Sequence, residues 1–163
     1  MRDVAIPPES VRDPWERNVP GLGLGRDPCR TPMCWSSQAG AGFTTGLPWL
    51  PLGTQFTLHN VADEREDPGS FLALYRALLA LRRLEPALSV GAYREVCADP
   101  QLFMYERIEG TRRLLVALNF SATSCPIPEL ERPIRILLCT HVGTGAHEPG
   151  MMLDAHEGIV AEY

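Results

Sequence analysis

The sequence predicts an α+β chain in which a long, loop-rich segment and one helix precede a small antiparallel β-sandwich. Residues 1–66 contain eight of the 15 prolines and seven of the 14 glycines, and no window there keeps an apolar period of 3.6 or of 2 residues. From Leu88 onward, apolar and polar residues alternate with a period of two. The change of period across a single helical segment is the basis of this prediction.

The loop-rich segment is not low in complexity, because it holds all three tryptophans and two of the five phenylalanines. Aromatic side chains in loops are usually packed against other structure. A stretch of this length without regular structure is uncommon inside a domain of 163 residues. We therefore expect residues 1–66 to be a surface loop that belongs to a larger body.

A helix is predicted over Asp67–Leu84. Asp67 is a candidate N-cap, Pro68 occupies the first helical position, and Arg82 and Arg83 lie in the last turn. Apolar residues cover more than half of the circumference of this helix. A helix of that kind needs packing partners on two sides.

Five short strands are predicted after the helix. Their ranges are Ser89–Cys97, Leu102–Ile108, Arg113–Phe120, Ile134–Thr140 and Gly158–Tyr163. Turn signals separate them, including the stretch Gly143–Gly150. The continuous apolar run Leu114–Leu118 is typical of a strand that is buried on both faces. This number and spacing of strands favours an antiparallel sandwich of about 75 residues.

Composition excludes several classes of function. The net charge of −5 and the isoelectric point near 5.4 argue against nucleic-acid binding. All 15 cationic side chains are arginine, so the chain has no lysine for a phosphate loop, a Schiff base or a general base. No apolar run approaches the roughly 18 residues that cross a membrane. The odd number of five cysteines and the absence of a signal peptide at Met1 predict a soluble cytoplasmic protein.

Several candidate sites have a simpler structural interpretation. Gly21–Gly25 lacks the G-x-G-x-x-G fingerprint and follows no strand, so it is expected to be a flexible loop. The pairs Cys29/Cys34 and Cys139/His141 match no zinc-binding spacing, and neither a metal nor a cofactor is predicted. No serine lies in a nucleophile elbow. No two of the 20 acidic residues are set apart in apolar surroundings that would separate their pKa values.

An ordered series of motifs runs through the chain. Residues 25–36 have the sequence Gly-Arg-Asp-Pro-Cys-Arg-Thr-Pro-Met-Cys-Trp-Ser, followed by Ala-Gly-Phe-Thr at 41–44 and Pro-Trp-Leu at 48–50. This series resembles the R-D-x-x-R-T-P-M-Q-W-D, A-G-F-T and P-W-L signature of the alpha-glucosidase and oligo-1,6-glucosidase branch of the alpha-amylase superfamily of glycoside hydrolases. Further similar segments are residues 6–9, 13–16, 60–61, 67–70, 78–83 and 115–121. Cys34 and Ser36 depart from the family, which usually has Gln and Asp there.

The resemblance implies a parent enzyme with a (β/α)8 barrel and a C-terminal sandwich. Residues 1–86 would be the loop after the eighth strand and the eighth helix, and residues 87–163 the sandwich. The family's three catalytic carboxylates follow the fourth, fifth and seventh strands, so this chain would contain no catalytic residue and would be inactive alone. The parent would be a retaining enzyme that acts on terminal alpha-linked glucose in an alpha-glucoside or oligosaccharide. Linkage preference, hydrolysis or transfer, and oligomeric state are left open.

The resemblance also implies roles for two arginines. Arg26 matches the family position that contacts hydroxyl groups of the terminal glucose, and pairing with Asp27 or another surface acid is an equally open interpretation. Arg30 is expected to tie the loop together by binding carbonyl groups or a carboxylate. Two further interpretations of the whole chain are a non-catalytic sandwich module with a binding or assembly role, and a truncated product without function.

Overall fold

Residues 4–128, 130, 134–141 and 152–163 are described by a computed structural model, in which the chain divides into two units, residues 1–72 and 73–163. The turn predicted at Gly143–Gly150 lies outside the described residues. None of the helices in the described ranges is both long enough and apolar enough to cross a membrane.

Short helical segments and turns make up the described part of the first unit. In chain order these are the 3₁₀ turn Pro8–Ser10, helix α1 (Pro14–Asn18), the 3₁₀ turns Asp27–Cys29 and Ala39–Gly42, and helix α2 (Val61–Glu66). Side chains cap both α-helices, since Asp13 accepts from the Trp15 amide at 2.9 Å and Asn60 accepts from the Asp63 amide at 3.1 Å. The short elements agree with the absence of a sustained apolar period in this part of the sequence.

Within this chain the tryptophans of the first unit are only partly covered, so packing of this loop against a larger body stays a prediction. Trp15, Trp35 and Trp49 each remain about half exposed. The buried apolar side chains of this unit are few and include Ala41 and Leu50. Since turns and 3₁₀ segments bury little apolar surface, they provide no interior that could enclose three indole rings.

The predicted helix Asp67–Leu84 begins four residues later than expected. Helix α3 spans Phe71–Leu84. The side chain of Asp67 accepts from the Gly69 amide at 2.8 Å, and its carbonyl accepts from the Ser70 amide at 3.1 Å. Asp67 therefore forms a turn instead of an N-cap, because its carboxylate competes for nearby main-chain donors. The predicted end at Leu84 is confirmed.

Seven strands of the described part of the second unit form two antiparallel sheets. They are β1 (Ala92–Ala98), β2 (Leu102–Glu109), β3 (Arg112–Asn119), β4 (Cys125–Pro126), β5 (Arg135–Cys139), β6 (Met152–Leu153) and β7 (Gly158–Glu162). The larger sheet has the order β1-β2-β3-β7-β5, and β4 pairs with β6. The five predicted strands are thus confirmed to within three residues at each end, whereas β4 and β6 are too short to give a sequence signal.

The first strand starts later than predicted because a short helix precedes it. Helix α4 occupies Ala87–Val90, so Ser89 is helical and not extended. Gly91 follows, and a Cβ atom at this position would lie 2.5 Å from the Ala87 carbonyl oxygen. Only glycine fits such a close approach of the main chain, and it allows the chain to enter β1 directly.

Alternate residues of the central strands form the core of the second unit. The buried cluster comprises Leu102, Met104, Leu115, Ala117, Cys125, Ile127, Leu153 and Ile159. Leu102 and Met104 on β2 show the predicted period of two, as do Leu115 and Ala117 on β3. On β3 the whole run 114–117 is buried, which confirms a strand covered on both faces.

Glu106 on β2 is a buried carboxylate that ties the edge strand to the sheet. Arg94 of β1 donates to it from Nε at 2.8 Å. Burial raises the pKa of Glu106, but the hydrogen bonds from Arg94 and Tyr163 outweigh burial and the pKa is lowered. Burial, together with the hydrogen bond to Glu106, raises the pKa of Tyr163 to about 12. Both groups therefore keep their ordinary charge at neutral pH.

Helix α3 exposes an apolar stripe. Phe71, Tyr75, Leu78 and Leu79 occupy positions i, i+4, i+7 and i+8 of one helical face, and all four are exposed, Phe71 to 86%. No residue of α3 is buried. The stripe is therefore apolar surface of α3 that is in contact with water.

We expect this stripe to make the isolated chain self-associate or bind a dye that reports apolar surface, since burying each such side chain is worth about 1.5–3 kcal/mol. The double variant Phe71→Gln/Leu79→Gln should reduce dye fluorescence and shift the chain toward monomer in analytical ultracentrifugation. Leu47→Gln is the control, because Leu47 is fully exposed but lies outside α3. A monodisperse parent chain without dye binding would contradict the prediction.

Candidate functional site

Two buried aspartates organise the first unit. The exposed fraction is 0% for Asp13 and 2% for Asp27. Asp13 is the N-cap of α1, and Asp27 opens the 3₁₀ turn Asp27–Cys29. Each is followed by proline, which is favoured in the first turn of a helical segment. Asp13 therefore lies just before α1, and Asp27 is the first residue of its 3₁₀ turn. The same local pattern, Asp-Pro, therefore creates both carboxylate positions.

Asp27 accepts hydrogen bonds from main chain and side chain. Its Oδ2 accepts from the amides of Arg12 and Asp13, the latter at 2.7 Å, and its Oδ1 accepts from Nη2 of Arg30 at 2.6 Å. Burial, the largest influence, raises the pKa of Asp27. The two amides and the guanidinium outweigh it, so the pKa of Asp27 is lowered.

Asp13 accepts from both arginines of the signature. Its Oδ2 accepts from Nε of Arg26 at 2.9 Å and from Nη2 of Arg30 at 3.3 Å. The hydrogen bond from the Trp15 amide and then that from Arg26 lower the pKa of Asp13. The pKa values of Asp13 and Asp27 are both lowered, so these two buried acids are not a pair whose surroundings separate their pKa values. Because both are ionised at neutral pH, they form an anchoring pair and not a proton donor with a base.

Arg30 bridges the two carboxylates. A single nitrogen, Nη2, donates to Asp27 and to Asp13. The prediction that Arg30 ties the loop together by binding a carboxylate is confirmed. One guanidinium thereby links the start of α1 to the turn that begins 14 residues later in the sequence.

Arg26 lies at the surface of this network. Its side chain is 65% exposed, and the bond to Asp13 uses Nε. Within the described part of the chain, the side chain of Arg26 donates through Nε alone, so Nη1 and Nη2 remain able to donate to a ligand. The acid that pairs with Arg26 is the buried Asp13 and not the adjacent Asp27. Contact with glucose stays a prediction.

An open cleft of about 580 Å³ lies beside the network. Its lining consists of Ile6, Pro8, Val11, Glu16, Arg17, Pro20, Gly23, Gly25, Asp27 and Pro28. Arg26 is not part of this lining. At Gly25, a Cβ atom would lie 2.9 Å from Cβ of Glu16, so glycine allows the loop to approach α1.

The loop that contains Cys34 and Ser36 is held by its main chain. The Val61 amide donates to the Cys34 carbonyl at 3.0 Å, and the Ala62 amide donates to the Trp35 carbonyl at 3.0 Å. These bonds attach the loop to the start of α2 without using the side chain of Cys34. The two departures from the family signature therefore leave the loop anchored.

Sequence reasoning missed the part played by Asp13. The available signal was an Asp-Pro pair at a helix start, which predicts a cap but not a salt bridge. Cys29 and Cys34 belong to the first unit, and Cys139 and His141 belong to the second. Gly21–Gly25 is a turn in which Gly21 has a φ of +84°.

Comparison with known sequences agrees with the motif series. The family described as alpha-amylase, catalytic domain, matches residues 1–91. The oligo-1,6-glucosidase of Heyndrickxia coagulans is 35% identical over 122 residues, which are 74% of this chain and 22% of that protein. The probable oligo-1,6-glucosidase 2 of Bacillus subtilis is 43% identical over 101 residues, 61% of this chain and 18% of that protein. The chain spans about a fifth of the length of these curated relatives.

Solved structures resemble the chain over most of its length. The trehalulose synthase MutB of Pseudomonas mesoacidophila MX-45 superposes with a TM-score of 0.81 at 25% identity, covering 99% of this chain and 33% of that one. The isomaltulose synthase of Klebsiella sp. LX3 gives a TM-score of 0.76 at 28% identity, covering 85% of this chain and 26% of that one. The α+β content with an antiparallel sheet is therefore shared with these enzymes.

The lowered pKa values of Asp13 and Asp27 predict that acid destabilises the first unit. A group whose folded pKa is depressed contributes stability above its unfolded pKa, about 3.9 for Asp, and loses it as pH falls through the folded pKa. We expect the midpoint temperature of unfolding of the first unit to decrease once the pH is lowered below about 4. Tryptophan fluorescence measures this unit selectively, because all three tryptophans lie in residues 1–66.

At neutral pH, Asp27→Asn should lower that midpoint by about 5 °C or more, because the new amide NH₂ faces one of the donors that now surround the carboxylate. Asp67→Asn is the control, since Asp67 is exposed and its side chain only accepts from the Gly69 amide, as an asparagine can. Equal midpoints for Asp27→Asn and the parent would refute the anchoring role.

Proposed function

This chain belongs to the alpha-amylase family, and we propose that it is the C-terminal part of a retaining alpha-glucosidase that acts on terminal alpha-linked glucose. The family match over residues 1–91 and the similarity to oligo-1,6-glucosidases support the reaction class. Substrates of the parent would be alpha-glucosides or oligosaccharides.

In this proposal, residues 1–86 are the end of the catalytic barrel and residues 87–163 are a sandwich domain. Helix α3 would then be the eighth helix of the barrel, and its apolar stripe would be the face that the barrel wall covers. The end of the family match at residue 91 supports a boundary close to α4. The five-stranded sheet and the β4/β6 pair would form the two layers of the sandwich.

The reaction would need two carboxyl groups that the rest of the parent supplies. A retaining glycosidase uses a carboxylate nucleophile and a carboxylic acid about 5 Å apart, which form and then hydrolyse a covalent glycosyl intermediate. Asp13 and Asp27 are unsuited to the acid role, because their pKa values are lowered and their oxygens already accept hydrogen bonds.

Arg26 would contribute specificity, and its anchoring by Asp13 carries this part of the proposal. The bond from Nε to the buried carboxylate would hold the guanidinium in one orientation, and the side chain is 65% exposed, so Nη1 and Nη2 would be available to a ligand. A fixed guanidinium can donate two parallel hydrogen bonds to neighbouring hydroxyl oxygens of glucose. Such a contact at the far end of the pocket would block longer chains and make cleavage exo.

The purified 163-residue chain should not hydrolyse p-nitrophenyl alpha-glucoside above the uncatalysed rate, because it would contain neither nucleophile nor proton donor. Release of p-nitrophenol, followed by absorbance, checks this outcome. Turnover that an active-site-directed glucosidase inhibitor abolishes would show that the chain is catalytic by itself. It would overturn the proposal that the rest of the parent supplies the catalytic carboxyl groups.

The role of Arg26 can be tested in a full-length oligo-1,6-glucosidase whose C-terminal part is replaced by this chain. Arg26→Ala should lower kcat/KM for short alpha-glucosides roughly tenfold or more, since hydrogen bonds to a charged group contribute about 1.5–3 kcal/mol. Arg30→Ala should chiefly lower thermal stability, because Arg30 bridges Asp13 and Asp27. Steady-state kinetics and thermal unfolding separate the two effects.

Arg65→Ala is the matched control, since it removes the same charge from an exposed position in the last turn of α2. Arg26→Lys should recover little of the loss, because an ammonium cannot form the two-pronged contact. A kcat/KM for Arg26→Ala within twofold of the parent would exclude the substrate contact and leave the pairing with Asp13 as the only role of Arg26.

A further inference from the structure

A cluster of metal-ligating side chains lies in the second unit, on residues that the proposed glucosidase function does not use. His141 follows β5, and Asp154 and Glu157 lie between β6 and β7. One ligand atom from each residue lies within 4.8 Å of the other two. Imidazole nitrogen and carboxylate oxygen are both ligands of zinc, and an imidazole disfavours Ca²⁺ and Mg²⁺.

Strand pairing brings these residues together from distant parts of the sequence. Cys139 on β5 is opposite Ile159 on β7. Beyond this pair, the Thr140 amide donates to the Gly158 carbonyl at 2.9 Å, and the Gly158 amide donates to Oγ1 of Thr140 at 2.9 Å. The ladder thus continues to the point where His141 and Glu157 leave the strands, so their proximity is set by the sheet.

The turn that carries the two acids is held by the buried Asn119. The side-chain Nδ2 of Asn119 donates to the Asp154 carbonyl at 2.7 Å, and the main-chain amide of Asn119 donates to the Glu157 carbonyl at 2.8 Å. His156, within the turn, has a φ of +59°, a left-handed conformation that a non-glycine residue keeps only when its surroundings impose it. Both carboxylates therefore stand on a rigid support, as a ligand set requires.

Glu157 is oriented from two sides. It is only 4% exposed, its Oε2 accepts from the Asp154 amide at 2.7 Å, and its Oε1 accepts from the thiol of Cys139 at 2.9 Å. Neither His141 nor Asp154 is buried, which leaves an entry path for an ion.

We propose that His141, Asp154 and Glu157 bind one zinc ion and that Cys139 positions Glu157 through its hydrogen bond. Zinc bonds of about 2.0–2.2 Å place two ligand atoms of one ion roughly 3.4 Å apart, so the three side chains need to approach by an ångström or so. Three protein ligands leave a fourth position for water. The ion would join the ends of β5 and β7.

The test is zinc titration of the full chain after removal of metals, in competition with a chromophoric zinc chelator. The expected result is one zinc ion per chain, with affinity at least tenfold weaker in His141→Ala and in Asp154→Asn. Both substituted residues are accessible, so circular dichroism of the metal-free variants should match that of the parent. Zinc should also raise the thermal midpoint of the parent and leave that of the variants nearly unchanged.

His59→Ala is the control, since His59 is an exposed histidine of the first unit. Three results would overturn the proposal: binding below one ion per chain at zinc concentrations that saturate the chelator, equal weakening by His59→Ala and His141→Ala, or loss of binding on Cys29→Ser with retention in His141→Ala. The last result would place the ion on the exposed thiol of Cys29.

Discussion

Burial of Asp13 and Asp27 is the constraint on which the first unit depends. A carboxylate that is removed from water must regain its hydrogen bonds, and here the main-chain amides of residues 12, 13 and 15 supply part of them. Arg26 and Arg30 supply the rest together with compensating charge. The N-cap of α1, the 3₁₀ turn Asp27–Cys29 and the orientation of both arginines are therefore consequences of one interaction.

This electrostatic anchoring explains how a segment with little apolar interior has a defined structure. The first unit buries few apolar side chains and leaves its tryptophans about half exposed. In the second unit, alternate apolar residues of β2 and β3 fill a core, which lies beside two buried carboxylates, Glu106 paired with Arg94 and Glu157. The first unit thus depends more on ionised carboxylates than on an apolar core, so acid is expected to weaken it.

The anchoring also determines what Arg26 can do. An arginine on an unsupported loop would lose side-chain entropy on binding a sugar. An arginine that is already held through Nε has lost that entropy on folding, before any sugar binds. Loops on a rigid scaffold carry most of the binding chemistry of barrel enzymes. The proposal that Arg26 adds specificity to catalytic groups elsewhere in a parent enzyme starts from membership of the alpha-amylase family and from a span of about a fifth of its relatives.

The sequence by itself determined the five longer strands of the second unit and the end of α3, because alternation on β2 and β3 and the arginines before Pro86 are local signals. It also carried the family motifs that single out Arg26. Only the tertiary structure decided that Arg26 binds Asp13, 13 residues away, and not its neighbour Asp27. The same holds for the approach of His141 to Asp154 and Glu157. The physical reason is that the attraction between a cationic side chain and each of the 20 acidic side chains depends on the distance between them. Those distances are set only when the chain has folded.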